Sequence, residues 1–116
     1  MYEMDKKKRI LNRKDYQLVY RFGRSTVNKQ VVLYWMPRKT EHQTRIGFVT
    51  GKKIGCAVVR NRIRRLMKEV YRLHQDELQD GYDLVLVGRG FMKWADYAKA
   101  ERYIMGLFGR ANVLKK

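Results

Sequence analysis

Two sets of residues in this chain have types and spacings suited to chemistry, and both suit a partner that is anionic and planar. The first set is Lys52, Lys53, Arg60, Asn61, Arg62, Arg64, Arg65, Lys68 and Arg72, inside a stretch of 21 residues whose one acid is Glu69. Guanidinium forks bind phosphate oxygens through paired N–H donors and stack on flat rings. Like charges one helical turn apart repel by a few tenths of a kcal/mol per pair, so the reason for the cluster lies off the chain. A polyanion supplies it. The second set is Tyr16, Tyr20 and Tyr34, accompanied by Arg21, Arg24 and Lys29. Tyrosines at amphipathic spacing serve either as core or as a platform for unpaired bases, which stack at about 1–3 kcal/mol each. The pattern leaves both uses open.

No set of residues offers catalysis by the chain itself. The eleven carboxylates are scattered and the single serine, Ser25, has no base in a recognised arrangement. Gly88-Arg89-Gly90 is too short for a dinucleotide fingerprint, and Gly51-Lys52-Lys53 lacks the first glycine of a phosphate-binding loop. His42 and His74 are far apart without ligand-spaced partners and read as ordinary surface residues. Cys56 stands alone, so no intrachain disulfide forms and no cysteine cluster holds a metal. A reducing, cytoplasmic setting is expected. No apolar run approaches the roughly 20 residues of a membrane span, and the N-terminus lacks the apolar core of a signal peptide. No membrane contact, no obligate protein partner and no catalytic side chain are expected, and metal ligands stay unassigned.

The elements that must position these residues follow from periodicity. With 116 residues and 45% hydrophobic content, the chain suits one domain spanning 1–116. Its charge is uneven: residues 6–72 hold 20 Lys and Arg against Asp15, Glu41 and Glu69, a net +17 of the chain's +16 total. Such an excess points to nucleic acid or an anionic surface. Residues 1–10 read as a flexible basic arm. Asn12 caps a short helix that Gly23 stops. Val31 to Met36 alternate as a strand, with Val32, Tyr34 and Met36 on one face and Val31, Leu33 and Trp35 on the other. Residues 45–50 read as its antiparallel hairpin partner, where Gly47 marks a close approach. In the basic helix Val59, Ile63, Leu66, Met67, Val70 and Leu73 form the core stripe, opposite the cations. Residues 82–87 are apolar almost throughout, which suits a central strand covered on both sides. Residues 89–94 read as a loop, and Asp96 caps a last helix. The expected fold is α+β, an α/β sandwich of about four strands in a mixed sheet with three helices and a βαβ crossover through the basic helix. The general rule makes that crossover right-handed.

Taken together, these segments resemble a known family. Lys52-Lys53-Ile54-Gly55, followed by Arg60-Asn61-Arg62-Ile63-Arg64-Arg65-Leu66, is similar to the signature of the bacterial ribonuclease P protein subunit. The residues from Asp15 to Gly23 and the Val32-Leu33-Tyr34 strand sit where that family has its first helix and strand. The resemblance implies an accessory subunit of an enzyme whose catalyst is RNA and which removes 5′ leaders from precursor tRNA with Mg²⁺. It implies that the first set of residues docks on the catalytic RNA, and that Tyr16, Tyr20, Val32 and Tyr34 line a cleft for the single-stranded leader. It also implies a left-handed crossover, against the general rule. A general RNA-binding or ribosome-associated protein is the alternative.

Overall fold

Asn12 opens the first helix by accepting the Asp15 amide on Oδ1 at 2.9 Å, which satisfies one of the donors a helix start leaves orphaned. In the computed structural model, which describes residues 12–38 and 42–115, that helix is α1 (Arg13–Phe22). The cations of the expected arm at residues 6–9 and the side chain of Lys52 lie outside the described residues. Gly23 ends α1 for want of space and not through a left-handed turn: a Cβ there would fall 2.6 Å from the Trp35 carbonyl oxygen. Strands β1 (Arg24–Val27), β2 (Val31–Pro37) and β3 (Arg45–Thr50) follow, then helix α2 (Ala57–His74), strand β4 (Tyr82–Gly88) and helix α3 (Tyr97–Ala111). Asp96 caps α3 through Lys99 N–H at 2.9 Å. Residues 90–94, expected as loop, form a 3-10 turn around the fully buried Met92.

The sheet order is β1-β2-β4-β3. This corrects the hairpin expected between residues 31–36 and 45–50: β4 lies between them, antiparallel to β2 and parallel to β3. Proximity in sequence favours a hairpin, but β4 buries Leu84 and Leu86 on one face and Val85 on the other. A strand with apolar side chains both ways belongs where both faces are covered, and α2 supplies the crossover a parallel pair needs. The fourth strand, β1, is an edge of mostly exposed residues, Arg24 to Val27, with no apolar run to announce it.

The two faces of the sheet are covered unequally. Val31, Leu33, Ile46, Leu84 and Leu86 pack under α2 and α3, which contribute Ile63, Met67, Val70, Ile104, Leu107 and Phe108. On the other face, among the described residues, only α1 is laid down, and there Val19 and Val85 are the buried apolar side chains. The described residues leave part of that second face open.

Two details of α2 differ from the stripe expected. Leu73 is 53% exposed, while Tyr71 is buried in its place. The sheet lies toward the Tyr71 side of the helix, where that ring meets Phe48 of β3 edge-on at 6.0 Å. His74 is no surface bystander either. Its Nε2 lies 2.7 Å from Glu101 Oε2 and its Nδ1 bonds Glu77, while Tyr97 Oη donates to Glu101 at 3.1 Å. This network ties the end of the basic helix to α3. The Glu101 hydrogen bond, above all, raises the His74 pKa above its usual 6.5, and His74 lowers Glu101 below its usual 4.5. A raised imidazole pKa stabilises fully below the unfolded value and loses that contribution as pH climbs through the folded one. The depressed carboxylate contributes above its unfolded value and fails as pH falls. The melting-temperature margin of wild type over His74→Gln is therefore expected to be widest between about pH 4.5 and 6.5 and to shrink on the alkaline side. A margin constant from acid to alkaline pH would show that protonated His74 adds nothing.

Candidate nucleic-acid interface

The open part of the second sheet face is a cleft with an aromatic wall. Tyr16 reaches from α1 over Gly47 of β3, where a Cβ would lie 2.6 Å from the ring carbon Cζ. The close approach expected at Gly47 is thus to the chain's own tyrosine. Tyr20 is the next ring, 6.4 Å from Tyr16, and it meets Tyr34 of β2 edge to face at 4.9 Å. Burial, and then the neighbouring Tyr16 and Tyr34, raise the Tyr20 pKa, so its hydroxyl stays a donor at neutral pH. Tyr20 nonetheless stands 44% exposed.

The floor is a row of valines across the sheet. Val27 pairs with Val32, Val32 with Val87, and Val87 with Val49. All four lie on the same face as Tyr34, and none is fully buried. The structure therefore brings Tyr16, Tyr20 and Tyr34 together and sets Val32 on the same sheet face as Tyr34. It adds Val27, through a local pairing with Val32, and Val49 and Val87, whose pairing is non-local and invisible to periodicity. Arg21, Arg24 and Lys29 are exposed. At the far end Arg45 donates to Asp83 at 2.9 and 2.8 Å and to Asp15 of α1 at 3.4 Å. Arg38 stands 3.5 Å from Asp83.

The basic face is less uniform than its sequence. Arg65, Asn61 and Lys53 are exposed, and Arg65 has no hydrogen bond or ion pair among the described residues. Arg62 instead donates to the carbonyls of Lys93 at 3.2 Å and Ala95 at 2.7 Å, bracing the 3-10 turn. Arg64 donates to Thr50 Oγ1 at 2.9 Å and also reaches Asn61. Arg72 is held by Glu69, 3.1 Å from its Nε, and Lys68 also has a partner. Arg60 keeps its Nε buried without a hydrogen-bond partner among the described residues, a desolvated donor that costs about 1–3 kcal/mol.

This sequence and this fold have counterparts among known proteins. The family model described as Ribonuclease P matches residues 4–112. The ribonuclease P protein component of Natranaerobius thermophilus is 39% identical over 106 residues, covering 90% of this chain and 91% of its own. The chain belongs to the ribonuclease P protein family. The ribonuclease P protein component of Clostridioides difficile is also 39% identical, over 85% of this chain and 87% of its own. Among solved structures the RNase P protein of Staphylococcus aureus superposes with a TM-score of 0.85 at 28% identity, covering 93% of this chain and 98% of that one. The Thermotoga maritima RNase P protein shares the fold at a TM-score of 0.79 and 24% identity, over 88% of this chain and 96% of its own. The α+β fold of the ribonuclease P protein is therefore the fold of this chain, which among its described residues has three α-helices and a four-stranded mixed sheet.

Proposed function

We propose that this protein subunit of the ribonuclease P endoribonuclease works as an electrostatic bridge between two RNAs. The α2 face, with Lys52, Lys53, Arg60, Asn61, Arg62, Arg64, Arg65, Lys68 and Arg72, docks on the catalytic RNA. The cleft of Tyr16, Tyr20, Val32 and Tyr34 receives the single-stranded 5′ leader of precursor tRNA. Two RNAs repel through their phosphates, and a segment of net +17 between them lowers that cost and with it the demand for Mg²⁺. A metal site on the protein itself finds no support in its donors: among the described residues no group of three or more His, Cys, Asp or Glu side chains is arranged to hold a metal ion. Asp15 and Asp83 are engaged by arginines. The chain's part is binding and positioning.

The observation that carries this reading is the placement of both surfaces at one end of the sheet. Gly88 of β4 pairs with Thr50 of β3 and Val31 of β2 there, and Arg64 of α2 reaches Thr50. The valine floor and the first turns of α2 lie at that same end of the sheet, on its two opposite faces. One RNA strand can leave the cleft and meet the other at the helix.

The direct test is cleavage. Purified protein added to a catalytic RNA and precursor tRNA at low Mg²⁺ is expected to restore cut at a single 5′ site, whereas a general RNA-binding protein would not. Tyr20→Ala is expected to weaken binding of precursor tRNA by about 1–3 kcal/mol and to leave mature tRNA, which has no leader, unaffected. Equal losses for both, with an earlier melt, would return Tyr20 to a packing role.

A further inference from the structure

Phe91 and Trp94 stand 56% and 70% exposed on the 3-10 turn Gly90–Trp94, outside both surfaces described so far. Their ring centroids are 6.3 Å apart and their planes meet at 53°, an open V. The turn that carries them is firmly held. Met92, between the rings, is fully buried, and Arg62 of α2 binds the carbonyls of Lys93 and Ala95. The rings are exposed because the turn is fixed that way, at the expense of apolar area left in water.

Beside them is a depression of about 270 Å³ lined by Arg89, Gly90, Phe91, Lys93 and Trp94. That is slightly below the roughly 300–1,000 Å³ of pockets for drug-sized ligands, and it suits one flat ring. Its charged lining is cationic only. Lys93 Nζ sits 5.0 Å from the Trp94 ring centre, and Arg89 is held by the Asn28 carbonyl at 2.9 Å. Aromatic faces next to cations, with no carboxylate lining the site, complement a base flanked by phosphates.

Position decides the occupant. Arg89 N–H donates to Gln30 O at 2.8 Å directly after β4, so the turn begins at the same sheet end as the valine floor. On its other side it abuts α2 through Arg62. We propose that Phe91 and Trp94, flanked by Arg89 and Lys93, hold one unpaired nucleobase of bound RNA on the path between the tyrosine cleft and the basic helix. The inference rests on the RNA-binding reading above and adds a third contact surface to it.

Trp94 reports on itself. The chain has two tryptophans, and Trp35→Phe leaves Trp94 as the single indole. Titrating that variant with a short oligouridine at low salt is expected to quench at least about half of the Trp94 emission on stacking, while an RNA duplex of equal length leaves it unchanged. Quenching is expected to persist when Tyr20→Ala is added. Phe91→Ala, at an exposed position, is expected to weaken oligouridine binding roughly tenfold. If Trp35→Phe does not fold, the difference between wild-type and Trp94→Phe spectra carries the same signal. Oligouridine binding, seen by anisotropy, with Trp94 emission unchanged would overturn the stacking site and leave the cleft standing. Emission that changes with protein concentration alone would overturn it too, marking a protein contact. No oligouridine binding by any form would bring down the wider RNA reading with it.

Discussion

Raising salt from roughly 50 to 200 mM is expected to weaken the complex of this protein with its catalytic RNA about 10³-fold, the loss that goes with about six phosphate contacts. The log–log slope is the decisive quantity, because each neutralised phosphate adds about 0.7–0.9 to it. Arg65→Ala is expected to lower the slope by that increment and leave the melting temperature where it is, since Arg65 is exposed and unpaired among the described residues. Arg62→Ala is expected to do more damage to the fold, because two of its donors brace the carbonyls of Lys93 and Ala95. Removing it leaves the Ala95 carbonyl, in a residue only 2% exposed, without that donor, at about 1–3 kcal/mol. Two arginines three positions apart are thus expected to differ, Arg65 acting on the RNA alone and Arg62 holding the fold as well. Measuring slope and melting temperature for both variants checks the division. An unchanged slope for Arg65→Ala would take that residue off the RNA.

That separation could not be read from the sequence, where Arg62 and Arg65 look alike. Local signals served well. Asn12 and Asp96 were identifiable as caps because a side-chain acceptor three residues before an orphan amide is a local arrangement. The alternation in β2 and the unbroken apolar run of β4 were readable because each strand's burial is written in its own residues. What failed depended on partners. Hairpin pairing of β2 with β3 was the natural expectation until β4, some 40 residues on, took the place between them. Leu73 and Tyr71 both lie near the edge of the stripe, and only the position of Phe48 decides which is buried. His74 seemed isolated because Glu101 is distant in sequence. In the site, the three tyrosines were readable as core or platform alike. Gly47 settles how they lie: without a Cβ it lets Tyr16 down onto the sheet, and Tyr20 is left half in solvent.

The acid that matters most to the cleft is Asp83, and Asp83→Ala is expected to cost about 2–3 kcal/mol, somewhat less than the 3–5 of a fully buried pair. The carboxylate is 2% exposed, but its partners Arg45 and Arg38 keep about a quarter of their side chains in water, so freed charge can be partly resolvated. With about 2–4 °C per kcal/mol as a lower guide, the melt should come several degrees early. A buried acid between two arginines also has a positional consequence. Arg45 bonds Asp83 of β4 with one side of its fork and Asp15 of α1 with the other, and the Asp83 hydrogen bond is the main reason its pKa is raised. The guanidinium therefore pins α1 to the sheet at the angle that sets Tyr16 over Gly47 and Tyr20 against Tyr34. Asp83→Ala is expected to lose discrimination between precursor and mature tRNA along with stability, while the salt slope set by α2 stays as it was. Binding measured well below the melting temperature separates the two effects. If the variant melts early yet still prefers precursor tRNA as strongly as wild type, the ion network holds up the fold without aiming the cleft.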